Sequence, residues 1–364
     1  MNKEKVGIYS DQIRGVSYKE KDLHDTLNDQ SVILLRANNI FENELNFDNV
    51  VFVDKSRVSQ KQYLRKGDIV VCASSGSKNL VGKAAQVDFD VKVTFGAFLK
   101  VIRPKNIVNE YLGYYFLSSE YRRTISSISE GANINNIRNE HLDDLLVPII
   151  DRDTQNERAK ILGIVSKILK CKRLQLSDYD QLIKSRFVEM FEYMDLSKQQ
   201  KNWIKLGEVS EIVTGTTPST NQEINWGGHH LWITPAEIDD NSFYVFNTKR
   251  KLTDEGVRSK SLTVMPVNTV LLSTRAPIGK AAIVGTPMSC NQGFKNFICK
   301  DNLNPIYLFT LLKYNKEYLN SIGSGTTFKE ISKSAVSNIV IPVPNIMLQK
   351  QFAQFYRQVD KLKF

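Results

Sequence analysis

Cysteine and histidine are scarce in this chain, with four of each in 364 residues. Cys72, Cys171, Cys290 and Cys299 lie far apart with no Cys-x-x-Cys pair. That excludes a disulfide-dense secreted scaffold and removes the thiolate half of the common zinc signatures. His24, His141, His229 and His230 fall in no ligand spacing, so structural roles are expected and no metal ligand is assigned. No apolar run reaches 18 residues and no leader-type start is present, which excludes a membrane-spanning helix and makes a reducing cytoplasm the expected compartment.

Catalytic signatures are lacking too. GSKNLVGKA (76–84) approximates a phosphate-binding loop, but its spacing is one residue too long and Ala84 offers no hydroxyl for Mg²⁺. NPIY (304–307) resembles the Asn-Pro-Pro-Tyr that grips a flipped adenine in amino-methyltransferases. The corresponding stretch of the first half reads VNEY (108–111), and both simply open a helix. GSGTTF (323–328) has two glycines of a dinucleotide motif and lacks the third. With no paired carboxylates and no Ser-His-Asp spacing, the chain is expected not to be an enzyme.

What is present is basic charge and internal duplication. Lys and Arg number 49 against 39 acidic residues, a formal charge of +10, which leans toward a polyanionic partner. VGKAAQV (81–87) returns as IGKAAIV (278–284), 197 residues on. Gly15 then matches Gly215, LLRANNI (34–40) matches WITPAEI (232–238), and Gly96 matches Gly293. Tyr111-Leu112 matches Tyr307-Leu308, Gly131 matches Gly325, and Pro148 matches Pro342. A period near 200 is too long for a solenoid and fits a duplicated domain.

Residues 1–150 alternate β-branched runs with short helical stretches. Asp153-Thr154 with Glu157 then reads as a helix start. About 40 residues follow with an apolar stripe and no proline, a rod of about 60 Å. The β-rich pattern repeats over 200–345, and a second, shorter amphipathic helix begins after Asn345. The expected architecture is α+β, with two similar mixed α/β domains (1–150 and 200–345). A long amphipathic helix with its linker (151–199) separates them, and a short C-terminal helix (346–364) packs antiparallel to it. Ile161, Ile168, Leu182, Ile183 and Phe187 form the stripe for intramolecular packing or partner contact, with Phe352 and Val359 from the second helix.

The second half resembles the specificity subunit of type I restriction–modification systems. The resemblance rests on LGEVSEIVTGTTPS (206–219), WITPAEI, LLSTRAPIGKAAIV (271–284), NQGFKNF, YLFTLL, GSGTTFKEISKSAVSNIVIPVP (323–344) and LQKQF. The first half carries weaker versions and ends in QLIKSRFVEMF (181–191), so the resemblance covers the whole chain. It implies two target-recognition domains, each reading half of a split asymmetric site on double-stranded DNA. It also implies two conserved helices that dock two methyltransferase subunits, and a restriction and translocation subunit in the full complex. S-adenosylmethionine and ATP belong to those partners, and no cofactor is expected on this chain. Two departures stand out: the first domain has no counterpart of Asn202-Trp203-Ile204-Lys205, and the second helix is short. Self-association through the helices is a further option.

Base discrimination needs bidentate Arg, Asn or Gln, and backbone anchoring needs Lys, Arg or N–H groups. The candidates in recurring loops are Lys83 and Lys280, with Lys78 and Arg275 nearby. Loops that differ between copies offer Asn133, Asn135, Asn136 and Arg138 against Thr326, Thr327 and Lys329. Arg36, Asn38 and Asn39 stand opposite Thr234, Ala236 and Glu237, and Thr217 follows the second-copy Gly215. Gly15 and Gly215 are assigned to tight turns. If each domain reads a half-site, the half-site centres should lie about one helical turn (~34 Å) apart or a little more. The rival readings are a tandem scaffold that binds protein and a nucleotide-dependent enzyme.

Overall fold

Runs of β-branched residues bounded by Gly, Asn and Asp become the strands of two repeated sheets in the computed structural model. The structure describes residues 2–76, 80–90, 92–131, 136–192, 195–239, 242–325 and 329–363. The chain divides into two compact units, Met1–Cys171 and Lys172–Phe364, and the division falls inside the long helix.

In the first unit the main strands are β1 (Ser10–Arg14), β2 (Ser31–Leu35), β3 (Val51–Asp54), β4 (Ile69–Cys72), β5 (Ala84–Gln86), β6 (Val93–Phe95) and β7 (Leu99–Pro104). One sheet has the antiparallel order β1-β7-β4-β5. In a second sheet β6 runs parallel to β2, which pairs antiparallel with β3. Strand β4 (IVVC) is buried on both faces, and for that reason it reads as a continuous apolar run. The sequence YLGYYFLSSEYRRTISSI forms two helices, α1 (Asn109–Phe116) and α2 (Ser119–Gly131), packed on this sheet.

Helix α3 (Asn139–Asp143) precedes α4, which spans Arg152–Phe191 over 40 residues. Its cap is Asp151, whose carboxylate accepts from the Thr154 backbone at 2.9 Å and its hydroxyl at 2.7 Å. The helix therefore starts earlier than Asp153-Thr154 suggested, because an Asx-type cap outcompetes the Thr154 cap.

The second unit repeats the plan with β8 (Ser210–Thr214), β9 (Trp226–Ile233), β10 (Arg250–Leu252), β11 (Val270–Leu272), β12 (Ala281–Val284), β13 (Met288–Cys290) and β14 (Lys295–Cys299). The order β8-β14-β11-β12 reproduces β1-β7-β4-β5, and β13 lies parallel to β9 as β6 lies parallel to β2. The duplication extends to single hydrogen bonds. Tyr111 Oη donates to the Pro148 carbonyl and Tyr307 Oη to the Pro342 carbonyl. Gln155 Oε1 accepts from Val108 N as Gln349 Oε1 accepts from Asn304 N, and both glutamines are buried. Each glutamine ties the first turn of its helix to its own domain.

After α5 (Asp254–Arg258) and α6 (Pro305–Tyr314), the last helix α7 (Ile346–Lys361) is capped by Asn345, whose side chain accepts from Met347 N at 2.8 Å. It runs antiparallel to the end of α4. Phe352 meets Phe187 and Phe191 at 5.3 and 5.5 Å between ring centroids, and Lys363 pairs with Asp180 at 2.7 Å. Ile183, Phe187, Phe352 and Val359 are buried as expected. Ile161, Ile168 and Leu182 are not: their exposures are 53%, 56% and 47%, which corrects their assignment to intramolecular packing. The reason is length. Sixteen residues rise about 24 Å, enough to flank only the last turns of a 40-residue helix.

Candidate nucleic-acid interface

Sheet register fixes the residue equivalences between the copies better than glycine matching does. Phe95 pairs with Leu35 as Cys290 pairs with Ile233, and Leu99 pairs with Cys72 as Phe294 bridges Ser273. Over residues 95–100 the copies thus keep an offset of 195. Gly96 corresponds to Asn291, which corrects its match with Gly293, because a turn glycine attracted the alignment. Gly15 and Gly215 do correspond, and each lies where a Cβ would overlap a carbonyl of the neighbouring strand (Gly96 or Cys290). Close backbone approach requires glycine at both positions.

On this register Lys100 and Lys295 occupy the same place. Lys100 faces Arg14 across β7 and β1, and Lys295 faces Thr214 across β14 and β8. Beside each lysine lies a bridge between the end of a central strand and the divergent loop. It is Ser74 with Asn136 in the first copy and Arg275 with Glu330 in the second. The backbone is the same, since Ile137 N donates to Ala73 O as Ile331 N donates to Thr274 O. The side chains share nothing.

In the first unit the result is an open polar cleft of about 360 Å³. Gln12, Arg14, Lys100, Asn136, Arg138 and Asn139 line it. Lys100 Nζ donates to Asn139 Oδ1 at 2.6 Å, and burial pulls its ammonium below the usual lysine range while Asp143 partly offsets this. Three cations share the cleft, which suits it to an anionic oxygen.

In the second unit charges close on one another. Arg275 Nε donates to Glu330 Oε2 at 2.9 Å, and Lys295 Nζ meets Glu330 Oε1 at 3.2 Å and the Thr274 hydroxyl at 3.4 Å. Burial raises the Glu330 pKa, but the bonds from Arg275 and Lys295 outweigh it and leave the carboxyl below its ordinary value. Gln292, at the position of Ala97 in the first cleft, accepts from the Thr217 hydroxyl at 2.5 Å. Arg275 uses only Nε here, and a guanidinium has two further amino groups suited to the guanine edge.

The expected residues are thus partly gathered and partly dispersed. Asn136 and Arg138 join the first cleft, and Arg275 and Thr217 join the second cluster, with exposed Lys329 adjoining Glu330. Lys83 enters β5 half-buried. Asn39 is withdrawn as a base contact: it is fully buried, its Oδ1 accepts from Arg36 N, and its amide donates to Asp48 O. Glu237 holds the equivalent turn in the second copy. Asn38 stays exposed on that turn, and Arg36 is half-buried with Nη2 on Asn49 O. Lys280 turns inward, its ammonium on the carbonyls of Ile238 at 2.5 Å and Pro235 at 3.4 Å, which corrects its role as a phosphate anchor. Lys78, Asn133, Asn135, Thr326 and Thr327 lie outside the described residues. Sequence reasoning missed Arg14, Ser74, Lys100, Lys295 and Glu330. The strand register over residues 95–100 is what pairs the two lysines.

Comparison with known proteins agrees with the duplication. The family model for the type I restriction modification DNA specificity domain matches residues 16–177 and again 200–364. The chain is 36% identical over 186 residues to the type I restriction enzyme MjaIX specificity subunit of Methanocaldococcus jannaschii, covering 50% of this chain and 43% of that protein. It is 40% identical over 145 residues to the EcoKI specificity subunit of Escherichia coli K12, covering 40% and 31%. Each match thus spans less than half the length of that curated relative. The crystal structure of the type I restriction–modification system S subunit from M. genitalium shares the fold, with a TM-score of 0.59 at 14% identity over 100% of this chain and 90% of that one. A family match in each of the two repeats, together covering most of the chain, places this chain in the family of type I restriction–modification DNA specificity domains.

Proposed function

We propose that this chain is a specificity subunit that recognises a bipartite, asymmetric DNA site and directs methyltransferase subunits to it. Residues 1–150 and 200–345 act as the two target-recognition domains. The observation that carries this reading is one frame with two faces. An equivalent lysine (Lys100 or Lys295) stands beside a register position whose side chains differ completely, Ser74–Asn136 against Arg275–Glu330. Shared cations suit phosphate, which is the same in every sequence, and divergent polar pairs suit base edges. Methyl transfer and ATP-driven cleavage then belong to partner subunits.

The exposed middle of α4 supports the partner role. Ile161, Ile164, Val165, Ile168 and Leu169 are each about half exposed, a contiguous apolar stripe on a helix that is otherwise rich in charge. We assign it to methyltransferase docking, and the length of α4 to setting the spacer between half-sites. The test is co-expression with a candidate methyltransferase subunit, followed by mapping of methylated adenines. A split asymmetric motif is expected, and its spacer should change when α4 is lengthened by one turn. Methylation at a single continuous motif would overturn the bipartite reading. DNA affinity should fall steeply with salt, whereas a flat dependence would favour a protein-binding scaffold.

A further inference from the structure

The adjacent histidines His229 and His230 do what neighbours in a regular strand cannot. Successive side chains of a strand point to opposite faces. Here Trp226 and His230 both register on Leu252 of β10, so the residues between them form a bulge in β9. Gly227 takes φ +85°, and Gly228 packs so tightly that a Cβ would overlap the Leu252 carbonyl. The bulge re-aims His229 onto the side of His230. The two imidazoles lie 4.1 Å apart between centroids at 35°, and both reach Asp254 on α5.

We propose that His229, His230 and Asp254 form a binding site for a divalent transition-metal ion of the zinc class. Asp254 Oδ1 is 2.6 Å from His230 Nε2 and 3.8 Å from His229 Nε2, and all three ligand atoms lie within 4.8 Å of one another. Bonds of about 2.0–2.2 Å to a tetrahedral zinc put ligand atoms about 3.4 Å apart. The Asp254–His230 edge of the triangle therefore opens by about 0.8 Å, the Asp254–His229 edge closes by about 0.4 Å, and the His229–His230 edge closes by at most about 1.4 Å. A simple ion pair between His230 and Asp254 needs no second imidazole, yet the bulge delivers one. Two imidazoles and one carboxylate are the donors that zinc, nickel and copper prefer, with the remaining positions left to water. Access is open, since the His229 and Asp254 side chains are 75% and 62% exposed. Of the neighbouring cations, Arg258 bonds Glu255 while its charge still acts on Asp254, and Arg250 stacks on Trp226 at 3.5 Å. A bound ion would staple the bulge to α5 and stiffen this edge of the second unit.

The experiment is calorimetric titration of the untagged full chain with zinc chloride. One ion per chain is expected. His229→Ala, His230→Ala and Asp254→Asn should each weaken binding at least about tenfold, and His141→Ala should leave it unchanged. The His229 side chain is 75% exposed, so its variant keeps the fold and stands as the decisive one, with circular dichroism as the check. Thermal unfolding should rise with zinc in the parent chain and stay put in the His229 variant. Zinc binding that is equal in all variants, or absent from the parent chain at 100-fold excess over protein, would overturn the proposal.

Discussion

Replacing Glu330 by Gln isolates the charge that closes the second cluster. The carboxylate holds two cations of different burial. The Arg275 side chain is 47% exposed, so that contact contributes about 0–1 kcal/mol. The Lys295 side chain is only 8% exposed, and stripping the partner from a buried ion costs up to about 3–5 kcal/mol. Glu330 is itself 33% exposed and Gln keeps an acceptor in place, so solvent screening reduces that figure to about 1–2 kcal/mol. A total near 2 kcal/mol should lower the unfolding midpoint by about 4–8 °C. The pH dependence has a definite sign. The folded-state pKa of Glu330 is depressed, so its contribution is complete above the ordinary carboxylate value and is lost as pH falls through the folded one. Parent and variant should differ at pH 7 and converge in acid. DNA binding should move the other way, because releasing two cations lets one more phosphate be neutralised and steepens the salt slope by about 0.9. Urea unfolding from pH 8 down to pH 3 and DNA affinity across a salt series provide the readouts. A variant as stable as its parent at pH 7, with an unchanged salt slope, would refute the assignment of Glu330 as the charge that holds Lys295.

Three further outcomes are expected. Gln349→Ala should cost about 3 kcal/mol in denaturant unfolding, because it orphans the Asn304 N–H and the carbonyls of Asn302 and Pro344; a cost below about 1 kcal/mol would mean water replaces the side chain. Gly215→Ala should destabilise by about 1–3 kcal/mol through overlap with the Cys290 and Asn291 carbonyls, seen as a lowered thermal midpoint, and an unshifted midpoint would mean the strands part freely. Ile161→Ser with Ile168→Ser should leave stability within about 0.5 kcal/mol per site yet reduce co-purification with a methyltransferase subunit; undiminished co-purification would remove the stripe from the docking surface.

The sequence revealed elements whose signals are local. Periodicity located α4 to within a few residues, and Asn345 marked the start of α7 because an Asx cap is a one-turn interaction. The Tyr111 and Tyr307 match held down to the same hydrogen bond, since helix, tyrosine and proline recur at fixed spacing. What was not legible depended on pairing between distant strands. Asn39 resembles a base reader because its type suits adenine, and only the fold shows that its amide is consumed by a turn. Lys280 was misjudged for the same reason, as its carbonyl partners lie 42 and 45 residues away.

That limit also explains why glycine misled the repeat alignment while lysine would not have. Glycines are kept where backbone geometry demands them, and two turns can each demand one at slightly different places. Gly96 and Gly293 therefore matched by type and not by position. A lysine beside a central strand is conspicuous, because burying its ammonium is costly unless a partner meets it. Lys100 meets Asn139 at the start of α3 and Lys295 meets Glu330 in the divergent loop, one partner neutral and the other charged. A costly residue kept at one register position while its partners drift is under a constraint that local packing does not explain. On the function proposed above, that constraint is contact with the phosphate backbone, which is the same in every sequence.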